Sequence, residues 1–259
     1  MTPVEPRTTP VPSAPAPSAA ASTPAAPAPA KPAPTTPDRT APADDAAAGP
    51  RALAERLDDL AGCCVLLSRL LLDAPDSDLL ARLRAPGLLA AWPLTDRASR
   101  EGAALLARGA AADVAELRRD HQALFVGPGP LLAPPYESVH RGREGLLFEG
   151  PTFAVRAAYR AFDRVAPALN REPDDHLGLE LDFVAHLAVR VLDALDAAEE
   201  ARAVATLVAL REFLVDHPLA WGPDCLALVR QHARTDFYRG TALLGTGLLA
   251  HAARVVVGR

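Results

Sequence analysis

From residue 51 onward, apolar residues recur every three or four positions, which is the spacing of one face of an α-helix. The first segment, residues 51–73, carries one apolar stripe formed by Leu53, Leu57, Leu60, Cys64, Leu67 and Leu71. Eight more segments of this kind follow, the last at residues 240–258, and strand-type alternation is scarce. The pattern predicts an all-α fold, a single helical bundle of about eight or nine helices.

Residues 1–50 break this pattern. They hold 14 of the chain's 26 prolines and 15 alanines, and their only large apolar residues are Met1, Val4 and Val11. Such a segment buries too little apolar surface to offset the entropy that it loses on ordering. We therefore expect a disordered Pro/Ala-rich tail at 1–50, partly in the polyproline II conformation, and one helical domain at 51–259. The tail has neither the apolar core of a secretion signal nor a twin arginine.

Several helix starts are marked by capping residues. Ser77 and Asp113 precede apolar periodic segments and are predicted N-caps. Pro173 suits the first position of a helix, where its missing N–H costs nothing. Asp174 and Asp175 would then lie in the first turn, where negative charge interacts favourably with the helix dipole.

Charge and composition exclude some classes of function. The net charge is −5, and no basic stripe with interleaved aromatics occurs, so nucleic acid is a poor partner and a basic protein a better one. The apolar runs fall short of a membrane span, because His251 and Arg254 interrupt the nearest candidate. Cys63, Cys64 and Cys225 match neither a disulfide framework nor a zinc site, which favours a reducing, cytoplasmic setting.

Residues 170–187, NREPDDHLGLELDFVAHL, are the first candidate site. A nucleotide- or metal-dependent hydrolase could use the cluster of Asp174, Asp175, His176 and Glu180. However, the chain has no Glu-x-x-His and no His-Glu-x-x-His. Adjacent residues of a helix also point in directions about 100° apart, so Asp175 and His176 would not face one substrate atom. Ordinary helix-start chemistry explains the same residues, so no metal ligands and no catalytic residues are predicted here.

Residues 121–142, HQALFVGPGPLLAPPYESVHRG, are the second candidate site. His121, Leu124 and Phe125 share one helical face, either as core or as an apolar binding surface. The following glycines and prolines force a long non-helical connection that carries Tyr136 and Glu137. Nucleophilic catalysis has no support, because no Gly-x-Ser-x-Gly occurs and Cys225 lacks a marked basic neighbour.

Taken together and in this order, the two stretches resemble the TorD/DmsD family of molybdoenzyme maturation chaperones. The features that carry the resemblance are a Leu-Phe-x-Gly-Pro run leading to Pro-Pro-aromatic-x-Ser-Val, and then Pro-x-Asp-His followed by Glu-Leu-x-Phe. The later phrases FLVDHPLAWGPDCLALV and DFYRGTALLGTGLL are also similar, so the resemblance spans about residues 51–257.

The resemblance implies a cytoplasmic, non-enzymatic chaperone that binds the twin-arginine signal peptide and apo form of a molybdoenzyme of the DMSO/TMAO reductase or formate dehydrogenase type. The chaperone would assist insertion of molybdopterin guanine dinucleotide into this client before export, and would hold no cofactor permanently. Cofactor-biosynthesis proteins are possible further partners. An assembly chaperone of the nitrate reductase type (NarJ-like), which binds a subunit's N-terminus without an export signal, is the alternative.

The resemblance also implies a peptide-binding surface. Carried over by position, it comprises His121, Leu124, Phe125, Pro135, Tyr136, Glu137, Ser138, Pro173, Asp175 and His176. Carboxylates suit guanidinium groups, and an exposed Leu/Phe groove suits the apolar segment of a signal peptide. We expect Asp175→Ala to weaken client binding with little change in fold, because Asp175 would lie at a helix start.

Overall fold

In the computed structural model, residues 49–142, 145–167 and 172–258 are described. These ranges contain ten α-helices and no strand, together with two π-helical turns. The helices are α1 (Pro50–Leu72), α2 (Ser77–Arg84), α3 (Arg97–Gly109), α4 (Val114–His121), α5 (Glu137–Arg141), α6 (Gly150–Ala161), α7 (Leu177–Asp196), α8 (Glu200–Asp216), α9 (Pro218–His232) and α10 (Asp236–Ala252). The predicted all-α fold is confirmed, whereas the predicted tail lies almost wholly outside the described residues.

Two helix pairs form the centre of the bundle. Helix α1 packs along α7, and α10 packs along α3, while α8 and α9 flank α7 and α10. The apolar stripe predicted for α1 faces this core, since Leu57, Leu60 and Leu67 are fully buried. Burial of such side chains is the main stabilising contribution to a bundle of this kind.

Glycines allow α3 and α10 to cross closely. A Cβ atom on Gly240 would lie 2.5 Å from the backbone nitrogen of Leu106, and one on Gly102 would lie 2.8 Å from that of Leu244. Because backbone atoms cannot move aside as a flexible side chain can, any larger residue at these two positions forces the helices apart.

Helix α10 and the π-helical turn after it, Asp236–Val257, have the length and apolar composition of a membrane-crossing helix. However, 61% of the most apolar window is buried inside the protein. Packing against α3 and α9 accounts for that composition, as expected of a core helix.

Capping follows the sequence prediction at one helix and departs from it at two. Asp113 caps α4, accepting from the backbone N–H of Ala115 at 2.8 Å. The prediction for Ser77 is wrong, since Asp76 accepts from Leu79 N at 2.7 Å and Ser77 is the first helical residue. The prediction for Pro173 is wrong as well, because α7 begins four residues later.

The connection between α4 and α6 is the part of the bundle that the sequence pattern describes least well. Residues 122–126 continue α4 as a π-helical turn. The short helix α5 then interrupts the predicted non-helical stretch, which brings the helices to ten rather than eight or nine. The three cysteines are buried and free, as expected, and burial raises the pKa of the Cys63 and Cys225 thiols to about 12.

Candidate functional site

The two candidate stretches lie side by side. Residues 135–137 and 175–177 form a short antiparallel pair, in which Glu137 N donates to Asp175 O at 2.9 Å and Leu177 N donates to Pro135 O at 2.8 Å. We call this pair of segments the motif clasp. It joins the connection before α6 to the start of α7, although the two segments are about forty residues apart in sequence.

The carboxylate of Asp175 holds the motif clasp in place. It accepts from the backbone N–H of Ser138 at 2.6 Å and from Thr152 Oγ1 at 2.7 Å. Asp175 and Thr152 are fully buried. The expectation that Asp175 lies in the first turn of a helix is wrong, because α7 begins at Leu177 and the carboxylate of Asp175 pairs with donors from α5 and α6.

Asp174 is buried too, in an ion pair with another helix. Arg156 of α6 donates to its Oδ2 at 2.6 Å, and the hydroxyl of Tyr159 donates to its backbone carbonyl at 3.2 Å. Asp174 is 1% exposed, so its desolvation is offset by this charged partner. Both aspartates thus attach the start of α7 to α6.

His176 is the N-cap of α7. Its Nδ1 accepts from the backbone N–H of Gly178 at 3.0 Å, which requires a neutral ring with the proton on Nε2. Burial lowers the pKa of His176 to about 3, and its ring lies edge-on to Tyr136 with centroids 5.3 Å apart. The histidine therefore fixes the position of the half-buried Tyr136.

Below the motif clasp lies a buried polar cluster formed by Glu137, Glu180 and His217. Glu137 Oε2 lies 2.7 Å from His217 Nδ1, and its other oxygen accepts from Arg141. Glu180 Oε2 accepts from the indole N–H of Trp221 at 3.1 Å. Burial, together with the neighbouring carboxylate of Glu137, raises the pKa of Glu180 well above its ordinary value.

This cluster is the one group in the described ranges with the composition of a metal site. One ligand atom from each of Glu137, Glu180 and His217 lies within 4.8 Å of the others. Contacts within the chain account for Glu137, which is paired with both Arg141 and His217, whereas Oε1 of Glu180 is buried with no partner among the described residues. The four residues weighed for an enzyme, Asp174, Asp175, His176 and Glu180, are each at most 8% exposed and bonded to different partners.

The predicted Leu124–Phe125 groove is not exposed. Leu124 is fully buried, Phe125 is 4% exposed and His121 is 5% exposed. The rings of His121 and Phe125 pack against Tyr238 of α10, with centroids 5.8 Å apart in both cases. The prediction of an apolar binding surface at these residues is wrong, because α10 covers this face of α4.

Of the predicted site residues, six lie in the motif clasp or are bonded to it: Pro135, Tyr136, Glu137, Ser138, Asp175 and His176. Pro173 is buried two residues before the second segment. Tyr136 is the one among them that is more than slightly exposed, so the others position the surface rather than form it. His121 and Phe125 pack instead against Tyr238 of α10, and Leu124 is fully buried.

The surface beside the motif clasp was missed from the sequence. Large apolar side chains are exposed just before and within the first turn of α6, namely Leu146, Leu147, Phe148 and Phe153. A cleft also runs between α6 and α8 and reaches Glu137 and His217 of the buried cluster. The alanines at 154, 158 and 161, spaced for one face of α6, were the signal in the sequence.

Comparisons with known proteins identify the family of this chain. Residues 89–227 match the family described as nitrate reductase delta subunit, and this range contains the motif clasp and the buried cluster. The chain is 29% identical over 174 residues to a protein of Haemophilus influenzae named as a probable Tat proofreading chaperone DmsD, covering 66% of this chain and 77% of the relative.

Two further relatives carry chaperone names. The Tat proofreading chaperone DmsD of Salmonella typhi is 29% identical over 197 residues, which is 74% of this chain and 88% of the relative. The chaperone protein TorD of Vibrio cholerae is 33% identical over 135 residues, 52% of this chain and 59% of the relative. Since the family match covers more than half of the chain and includes both motif stretches, this protein belongs to the nitrate reductase delta subunit family, together with the DmsD and TorD chaperones.

Proposed function

We propose that this protein is a cytoplasmic maturation chaperone that binds the N-terminal leader peptide and apo form of a molybdoenzyme. The observation that carries the proposal is that the family match contains two distant motif stretches which fold into one rigid clasp. An irregular connection that is tied down by buried carboxylates is more often a binding surface than a passive link.

In this proposal the motif clasp supports the peptide surface from below. The hydrogen bond from Ser138 to Asp175 holds the two segments together, and His176 fixes the ring of Tyr136. The peptide contacts Tyr136 and the exposed apolar residues that follow in the chain, such as Leu146 and Phe153. A partly apolar leader gains affinity from such side chains by removing them from water.

The proposed activity is assembly rather than catalysis. The client, rather than the chaperone, receives the molybdopterin guanine dinucleotide, and the chaperone delays export until the cofactor is in place. The arrangement of the motif clasp supports this division, because its titratable groups are engaged with one another and with backbone donors. Cofactor-biosynthesis proteins are the further partners that such a step requires.

A chaperone of the nitrate reductase type remains the second candidate, favoured by the description of the matched family. Such a protein binds the N-terminus of a subunit that lacks a twin-arginine signal. The two candidates differ in one measurable property, the dependence of peptide binding on two consecutive arginines.

Co-expression with the client tests the proposal. The molybdoenzyme encoded nearest the gene of this chain is produced with and without the chaperone, and its molybdenum content and activity are measured. We expect both to fall several-fold without the chaperone, with the client protein still present. Equal molybdenum loading in both cases would overturn the proposal.

A further inference from the structure

The cleft between α6 and α8 exists because both helices present small side chains to it. Helix α6 contributes Ala154, Ala158 and Ala161, and α8 contributes Ala209. Two cavities of about 260 and 340 Å³ share Asp216 and His217 in their linings and so adjoin at the end of α8; together they are called the α6–α8 groove. The volume of each cavity is close to the lower limit for a small-ligand pocket, which suits successive side chains of an extended peptide.

The floor of the groove is apolar. Phe162 follows the end of α6, Phe183 comes from α7 and Phe213 from α8. Phe183 and Phe213 pack edge to face with ring centroids 4.8 Å apart and are nearly buried, whereas Phe162 is half-buried. Phe162, backed by these two packed rings, is therefore the aromatic side chain that the groove presents to a partner.

The rim of the groove is acidic. Glu212 and Asp216 lie four residues apart on α8, line the cleft and are exposed. Within the part of the chain that the structure describes, neither carboxylate has an ion-pair partner, and the nearby Arg141 is engaged by the carboxylate of Glu137 and the backbone carbonyl of Asp216. Two like charges at this spacing destabilise an isolated helix by a few tenths of a kcal/mol. A cationic partner would remove that cost.

The larger groove between α1 and α2, about 610 Å³, is less suited to such a partner. Its lining carries both signs of charge, with Asp58 and Asp59 beside Arg69 and Arg82. Most of its lining residues also lie outside the range 89–227 of the family match. The α6–α8 groove, in contrast, lies wholly inside that range and joins the buried cluster at Glu137.

We propose that the α6–α8 groove binds a twin-arginine leader peptide, with Glu212 and Asp216 receiving the two guanidinium groups, and with Phe162 and the alanines of α6 receiving the apolar residues that follow. Residues four apart on a helix have Cβ atoms about 5–6 Å apart, within reach of two consecutive arginine side chains. Guanidinium–carboxylate pairs form two charge-assisted hydrogen bonds each. The inference rests on the proposed function and adds to the surface beside the motif clasp a groove for the twin-arginine segment of the leader.

Titration calorimetry on the full chain tests the inference. The probe is a synthetic leader peptide of the molybdoenzyme encoded nearest the gene, at low ionic strength, where exposed charge pairs are least screened. The variant Glu212→Gln/Asp216→Asn keeps the shape of both side chains and removes both charges. Asp193→Asn/Asp196→Asn, two exposed carboxylates on α7, is the matched control with the same change in net charge.

We expect the groove variant to bind the leader peptide at least about tenfold more weakly than the wild type, because loss of one charged hydrogen bond alone corresponds to about this factor. The control should stay within about twofold, because α7 presents those carboxylates outside the groove. A second variant, Ala161→Leu, fills the groove at an exposed position and should also weaken binding without lowering Tm.

The outcomes separate the two proposals. If the wild type binds the leader and the groove variant and the control bind equally well, the groove assignment is overturned and the chaperone function stands. If the wild type does not bind the leader at all, the proposed function itself fails. Loss in the groove variant alone, with Tm unchanged, supports both.

Discussion

Replacing Asp175 should destabilise the fold far more than a helix-start residue would. The substitution Asp175→Ala removes two buried hydrogen bonds, to Ser138 N and Thr152 Oγ1, and leaves both donors without a partner. Each hydrogen bond to a charged acceptor contributes about 1.5–3 kcal/mol. We expect the free energy of unfolding to fall by about 3–5 kcal/mol, a large part of the 5–15 kcal/mol typical of a domain.

Asp175→Asn should cost about half as much. One amide oxygen can still accept from one donor, but the amide nitrogen then faces the second donor and cannot pair with it. The two substitutions together distinguish a buried bidentate acceptor from a surface charge, since the loss of a surface charge would affect both variants equally and slightly.

Urea unfolding followed by far-ultraviolet circular dichroism measures these losses. Glu172→Gln is the control, an exposed carboxylate in the same segment, and should change stability by less than about 0.5 kcal/mol. A loss below about 1 kcal/mol for Asp175→Ala would refute the role given to this carboxylate. The result also bears on peptide binding, because a weaker affinity in this variant could not be read as a lost peptide contact.

Three further predictions concern Thr152, Gly240 and His176. Thr152→Val should cost about 1–3 kcal/mol, because it removes a buried donor to Asp175. Ser138→Ala should be nearly neutral, because Ser138 donates through its backbone and its buried hydroxyl has no partner among the described residues. Equal losses of the two variants in urea unfolding would contradict this. Gly240→Ala should destabilise the fold by about 1–3 kcal/mol despite the better helix propensity of alanine. Gly62→Ala, with open space around its Cβ position, should stabilise the fold by up to about 1 kcal/mol. A Gly240→Ala variant more stable than the wild type would refute the close crossing of α3 and α10. Because burial lowers the pKa of His176 to about 3, the unfolded chain binds a proton below pH 6.5 that the folded chain does not. The free energy of unfolding should therefore fall by up to about 1.4 kcal/mol per pH unit from about pH 6.5 towards 3. His176→Asn, which can still cap α7, should flatten this slope, and an unchanged slope would contradict the role given to His176.

The helices were predictable because their signals are local. The stripe through Leu57, Leu60 and Leu67 predicted α1, and an aspartate before an apolar segment predicted the cap at Asp113. The motif stretches were also found from the sequence, through their resemblance to a known family. The sequence did not show which of these residues are buried or which partners they bond to.

The site itself depends on partners that are distant in sequence. Asp175 finds its donors 23 and 37 residues away, so a buried acceptor and a first-turn aspartate have the same local pattern. Leu124 and Phe125 have the same sequence pattern whether they belong to the core or to a binding surface. Their burial, with Phe125 packed against Tyr238 of α10, shows that they belong to the core. The groove between α6 and α8 is likewise a matter of helix placement, which periodicity does not determine.

The most direct test of the chaperone function is titration of the full chain with the leader peptide of its candidate client, beside a peptide in which both arginines are alanine. The account predicts micromolar or tighter binding of the twin-arginine peptide, and affinity at least about tenfold weaker for the alanine peptide, since two charge-assisted pairs are lost. Binding that ignores the arginines would contradict the export-signal role and favour the nitrate reductase type. No binding of either peptide would contradict the chaperone function itself.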